Sequence, residues 1–186
     1  MLREVIKDKT HEAHQKTEGK VVRKVKSIKS EQDYIELLKC FYAYFNAVEK
    51  EISRFVTVDV LSDLKERRNA EYIKRDIEEL GGSVADLPEV TLPPITHTLD
   101  ALSAMYVLEG SIMGGPYIVK MLQKQGINRA FSFFSGYGEN SGKMFSAFVE
   151  VLNKYGENPD THERAVEVAN ETFTNFGEVF TPVTAQ

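Results

Sequence analysis

The stretch that most narrows what this chain can become is Tyr106-Val-Leu-Glu-Gly110-Ser-Ile-Met-Gly114-Gly115-Pro116-Tyr-Ile-Val-Lys-Met-Leu122. Its apolar residues read as a helix, yet three glycines and a proline stand near its middle. Inside a helix each glycine costs about 1 kcal/mol relative to alanine, and a proline about 3 kcal/mol. A helix needed only for packing would avoid both. Glycine lacks a Cβ and lets another body lie against the backbone. Proline removes an N–H and crowds the carbonyl four residues back, here that of Ile112. The helix is therefore expected to kink near 110–116 and to leave bare backbone on one side. A break between two helices, or a close helix–helix crossing, would account for the same glycines.

The rest of the chain also reads as helical. Over residues 2–25, Leu2, Val5, Ile6, Ala13, Thr17 and Val21 fall near one face at about 100° per residue. His14 lies at the edge of that face, between Lys7 two turns before it and Glu18 one turn after it. Ser30-Glu-Gln-Asp33 is a capping start for a second helix through Tyr34–Phe55, rich in aromatic residues that suit a core. A charged helix is expected over Asp63–Leu80, stopped by Gly81-Gly82. Pro88, Pro93 and Pro94 make 81–94 a loop. A further helix starts at Thr98–Leu108 and leads into the glycine break, and Gly126-Ile-Asn128 ends the helix after the break. Residues 131–138 form an aromatic turn, followed by helices at about 139–155 and 160–180, the latter opened by Asp160 or Thr161.

No alternating strand pattern persists, and no repeat or linker interrupts the chain. The expectation is one all-α domain over residues 1–186, a bundle of about seven helices with 181–186 as a loose tail. Its 186 residues suffice for a sizeable core.

A net charge of −5 argues against a nucleic-acid binder, which needs a broad basic surface. No apolar run approaches a membrane span, and the charged N-terminus lacks the apolar core of a signal peptide. The single cysteine, Cys40, excludes an internal disulfide and fits a cytoplasmic location.

Among His11, His14, His97 and His162, His14 stands out because Glu18 lies four residues on. A carboxylate that accepts from one ring nitrogen makes the other a better metal ligand. An exposed histidine with an ordinary helical neighbour is the plain alternative. The glycine segment lacks the spacing and the preceding strand of a nucleotide-binding loop. No paired Glu-x-x-His motifs of a di-iron bundle are present.

Two segments together carry more than either alone. Thr10-His-Glu-Ala-His14-Gln-Lys-Thr17-Glu18, followed mid-chain by Tyr106-Val-Leu-Glu-Gly110-Ser-x-x-Gly114-Gly115, resembles the haem oxygenase family, and most of all its short bacterial members. Phe134-Ser-Gly-Tyr-Gly138-Glu-Asn and the Phe173–Phe176 segment are similar too, so the likeness spans nearly the whole chain.

The resemblance implies His14 as proximal ligand to the haem iron and Glu18 as the acid that orients it. Gly110, Gly114 and Gly115 match the distal glycines whose backbone covers the other haem face. Lys7 matches a position that meets a propionate; Tyr137 and Lys143 are further propionate candidates. Ser111 stands where some members carry an aspartate that organises distal water. Pro116 stands where the family continues the helix, and Ser146 where some members place a propionate-binding arginine.

Haem, by this likeness, is cofactor and substrate at once. One axial histidine leaves the sixth position of the iron open to O2. The implied reaction gives biliverdin, ferrous iron and CO with electrons from a ferredoxin or flavin reductase, and a phytochrome is a candidate recipient of the biliverdin. A haem-binding protein that stores or senses haem without degrading it is the rival expectation.

Overall fold

Thr10 divides the first expected helix in two. In the computed structural model, which describes residues 1–181, α1 runs Leu2–Lys9 and α2 runs His11–Lys26. The Thr10 hydroxyl donates to the Ile6 carbonyl at 2.8 Å and the residue adopts φ −99°, ψ 2°. Its side chain competes for the backbone acceptor and turns the chain at that point. The expected loose tail lies, apart from Thr181, outside the described residues.

The other helices are α3 (Glu31–Ile52), α4 (Ala70–Glu79), α5 (Thr98–Lys124), α6 (Ser141–Tyr155) and α7 (His162–Glu178), seven among the described residues, with no strand. Ser30 caps α3 as expected, its hydroxyl accepting from the Asp33 amide at 3.2 Å. The charged helix expected over Asp63–Leu80 is shorter. A single 3-10 turn occupies Leu64–Glu66, Arg67 is extended, and Asn69 caps α4 by accepting from the Glu71 amide at 3.0 Å. An Asn that can bond its own downstream amide starts a helix rather than continuing one. The last helix likewise opens later than expected, at His162, after a 3-10 turn over Pro159–Thr161.

Core aromatics behave as the α3 pattern implies. The Phe41 ring meets Phe134 at 5.1 Å and Phe176 at 5.0 Å between centroids, both edge to face. The two deepest tyrosines place their hydroxyls on distant carbonyls: Tyr34 donates to Ala130 at 2.6 Å and Tyr44 to Thr172 at 2.8 Å. These bonds satisfy groups that burial would otherwise strand.

α5 is the central element, unbroken from Thr98 to Lys124. His97 caps it, with Nδ1 accepting from the Asp100 amide at 3.3 Å. Leu99 through Glu109 are all buried, after which the helix surfaces at Met113, Gly114, Pro116 and Tyr117. Pro116 lies inside it and leaves the Ile112 carbonyl without its usual helical donor. α2 and α7 both pack on α5, and α2 packs on α7.

Candidate functional site

On one side stands α2. The His14 side chain is exposed, and its ring stacks on Phe173 of α7 at 5.0 Å with 26° between planes. Three residues on, the Thr17 hydroxyl donates to the Phe173 carbonyl at 2.8 Å. Gly177 makes room for that approach, since a Cβ there would come within 3.1 Å of Thr17 Oγ1. The register of α2 on α7 is thus held by a buried hydroxyl, and it presents the imidazole beside Phe173. Glu18 is exposed, and no hydrogen bond joins it to His14. Lys7 and Lys143 are exposed on α1 and α6, two helices that pack together.

The other histidines differ. His97 is the cap of α5, and His162 Nε2 donates to the Gly156 carbonyl at 2.8 Å. Of the four, His11 and His14 alone are exposed with no hydrogen bond of the ring among the described residues.

On the α5 side the three glycines have different duties. Nothing lies within 4 Å of where a Gly114 Cβ would stand, and only Phe145 Cε2, at 4.0 Å, approaches that of Gly110. Met113 and Tyr117 flank this bare segment, 51% and 70% exposed. Gly115 points elsewhere. Its missing Cβ would run into the backbone of Phe134, 3.0 Å from the carbonyl carbon and 3.3 Å from Cα. The close approach expected there against a ligand is made against the protein's own 131–136 turn.

That turn locks onto α5 by a reciprocal contact. Gly136 has φ +58°, and a Cβ on it would fall 2.6 Å from Ile112 Cγ2. Glycine is needed there both for the left-handed backbone and for the space.

Behind the bare segment lies a buried polar network that the sequence reading missed. Arg67 grips Asp63 with two bonds of 2.8 Å, donates to Glu109 Oε2 at 2.6 Å and reaches the Met144 carbonyl at 3.1 Å. Arg68 donates to the Phe133 carbonyl at 2.8 Å, the Leu108 carbonyl at 3.3 Å and Ser111 Oγ at 2.9 Å. Its guanidinium carbon sits 3.8 Å from the Phe133 ring centroid. Burial pushes its pKa down to about 10, which leaves it charged at neutral pH. Burial likewise pushes the Glu109 carboxyl upward, against the pull of Arg67 and Arg68.

Two expected site residues belong to this network instead of the open face. The Tyr137 hydroxyl donates to Glu109 at 3.3 Å and accepts from the Arg68 amide at 3.0 Å, so it is turned inward. The Ser111 hydroxyl donates to the Leu108 carbonyl at 2.6 Å while accepting from Arg68. Its single proton is already committed. Ser146 is exposed.

Glu49 of α3 adds a second carboxyl. It accepts from the Ala70 amide at 2.9 Å, at the start of α4, and faces a cavity of about 220 Å³ with Arg67, Arg68 and Glu109. Burial raises its pKa to about 7. Glu109, the one charged residue of the apolar run from Ala101 to Val119, was the available signal for this network, because a buried carboxylate needs partners for its charge.

The arrangement thus offers an accessible imidazole on α2 and, on α5, a segment left uncovered at Gly110 and Gly114. The chain belongs to the haem oxygenase family, and so to the haem-degrading oxygenases: the family model described as heme oxygenase matches residues 1–182. A heme oxygenase of Xanthomonas campestris pv. campestris (strain 8004) is 26% identical over 146 residues, 77% of this chain and 86% of that protein. Among solved structures, the NO- and CO-bound heme oxygenase from Neisseria meningitidis superposes with a TM-score of 0.83 at 22% identity, over 100% of this chain and 95% of that one. Heme oxygenase-1 from the cyanobacterium Synechocystis sp. PCC6803, in complex with heme, gives a TM-score of 0.73 at 19% identity, over 96% and 90%. These likenesses bear out the all-α fold expected from the sequence.

Proposed function

We propose that this protein opens the ring of haem to biliverdin, ferrous iron and CO, with O2 and electrons from a separate donor, and that His14 is the axial ligand. The reading is supported by two observations together, an exposed His14 on α2 and α5 backbone left uncovered at Gly114. When bound, haem supplies the iron at which O2 is reduced, and it is itself the molecule oxidised.

The residues present suit that substrate. A neutral imidazole offers one nitrogen to iron, and the Phe173 ring limits the swing of His14. The Gly110–Gly114 segment admits a flat body to the helix backbone, and the half-exposed Met113 offers it an apolar border. Lys7 and Lys143 are free to meet ionised carboxylates at the edge of such a ligand. Glu18, an exposed neighbour one turn from His14, is assigned the task of orienting the imidazole once the ligand is bound.

Among the described residues no helix is long and apolar enough to cross a membrane. We place the reaction in the cytoplasm, served by a ferredoxin or flavin reductase, with a phytochrome as one recipient of the product.

The test is haemin titration of wild-type protein and H14A, followed by single turnover with ascorbate. Wild type is expected to show an axial nitrogen ligand and to release bilin. H14A is expected to fold normally and lose that ligand. Retained ligation in H14A moves the role to another histidine, with His11 the first to try. A stable wild-type complex that yields no bilin favours storage over degradation.

A further inference from the structure

One buried side chain ties the bare segment of α5 to two other parts of the chain. Arg68 precedes the Asn69 cap of α4, in the extended link where a continuous helix was expected. It is 7% exposed, yet it is a cation in the protein interior. Its three acceptors come from two elements. Leu108 and Ser111 belong to the turn of α5 that includes Gly110, and Phe133 belongs to the 131–136 turn. The backbone amide of Arg68 fastens the same link to Tyr137.

Simple packing does not require this. A buried guanidinium is tolerated only when its donors are matched, and an apolar side chain of similar volume commonly serves stability as well or better. What the guanidinium supplies is direction. Its planar fork constrains the angle and distance between the surfaces it joins. Ser111 is the next residue after Gly110, so a shift of the Arg68 fork is passed directly to the uncovered backbone.

We infer that Arg68 is a positioning residue for the haem-facing segment of α5: by bonding Leu108, Ser111 and Phe133 at once, it fixes where the Gly110–Gly114 backbone stands against the 131–136 turn. The inference rests on the proposed role of His14 and the α5 glycines in holding haem. Arg68 touches no substrate. Its influence passes through Ser111 and the Leu108 carbonyl.

The experiment uses the full-length protein with R68K, R68M, S111A and the double variant R68M/S111A, and R164M as a control. Arg164 is also an ion-paired arginine, joined to buried Asp100 at 3.2 Å, but it lies at the start of α7 beside the N-terminus of α5. Each variant is measured for melting temperature, haemin affinity, the high-spin to low-spin ratio of the ferric complex across neutral to alkaline pH, and single-turnover rate.

R68M is expected to slow turnover about tenfold, the effect of one lost charge-assisted bond, and to displace the spin-state profile while haemin affinity changes little. R68K keeps the charge without the fork and should recover part of both effects. S111A should reproduce part of the R68M shift, and the double variant should be no worse than R68M. R164M should lower the melting temperature only.

The inference is overturned if R68M and R164M lose stability alike while the R68M spectrum and rate stay at wild type. It is also overturned if S111A and R68M effects simply add. Should R68M fail to fold, R68K and S111A decide the matter by their spectra. Absence of any axial-histidine spectrum in wild type would defeat the reading of the site instead, and is visible before any Arg68 variant is made.

Discussion

Gly114 and Gly115 are neighbours on one helix, yet alanine should act on them in opposite directions. At Gly114 the added methyl meets nothing within 4 Å. The substitution should yield only the helix-propensity gain, about 1 kcal/mol. At Gly115 the methyl is aimed at the carbonyl group of Phe134, with the carbonyl carbon 3.0 Å and Cα 3.3 Å away. The obstacle is main chain and cannot rotate aside, so α5 or the 131–136 turn must retreat. Overpacking of this kind costs about 1–3 kcal/mol, and a backbone obstacle belongs at the upper end. After the propensity gain the net loss is about 2 kcal/mol, leaving the two variants about 3 kcal/mol apart. For a chain of this length each kcal/mol moves the melting temperature by about 2–4 °C. G114A should thus melt about 3 °C above wild type and G115A about 6 °C below it. Thermal and urea unfolding of the haem-free protein checks this. Equal shifts of the same sign would refute the division of labour between the glycines.

Three further outcomes are expected. E109L removes the buried partner of Arg67 at 2.6 Å and the acceptor of Tyr137; unfolding in urea should show a loss of about 3 kcal/mol, tempered because Asp63 stays on Arg67. Glu49 has a folded pKa of about 7 against 4.5 for a free side chain, so its favourable contribution is complete below about pH 4.5 and is lost as pH rises through 7. E49Q, whose amide oxygen can still accept from Ala70, should match wild type near pH 4.5 and exceed it by up to about 3 kcal/mol at pH 8, measured by urea unfolding at several pH values. F173A deletes the ring stacked on His14 at 5.0 Å; haemin titration should show weaker binding by about tenfold, with the axial nitrogen retained.

The helices were legible because their signals are local. Periodicity, the Ser30 cap and the Gly81 and Gly126 stops each act within a turn or two, and α3, α5 and α6 fall close to where these signals put them. Two of the boundaries that differed turned on a single side chain bonding backbone. Thr10 returns to Ile6, and Asn69 caps forward onto Glu71. Both residues are common inside and outside helices, so the pattern alone did not separate the options. His14 and the glycines could be picked out because they break the rules of their own helices. The Arg67–Glu109 and Arg68–Ser111 links could not. They join residues 42 and 43 positions apart, and nothing local says which carboxylate a given arginine will find. The same blindness gave Tyr137 to the open face when its hydroxyl is turned inward, and put Gly115 against a ligand when it meets Phe134.

The bond from Thr17 to the Phe173 carbonyl spans 156 positions. During vectorial synthesis, the helix bearing His14 leaves the ribosome well before α7. The wall that presents the imidazole therefore lacks its backing until the chain has been extended through α7, and α2 must persist as a helix without its main partner, a state that short helices hold poorly. A ribosome-stalled chain ending before residue 162 should accordingly fail to retain haemin.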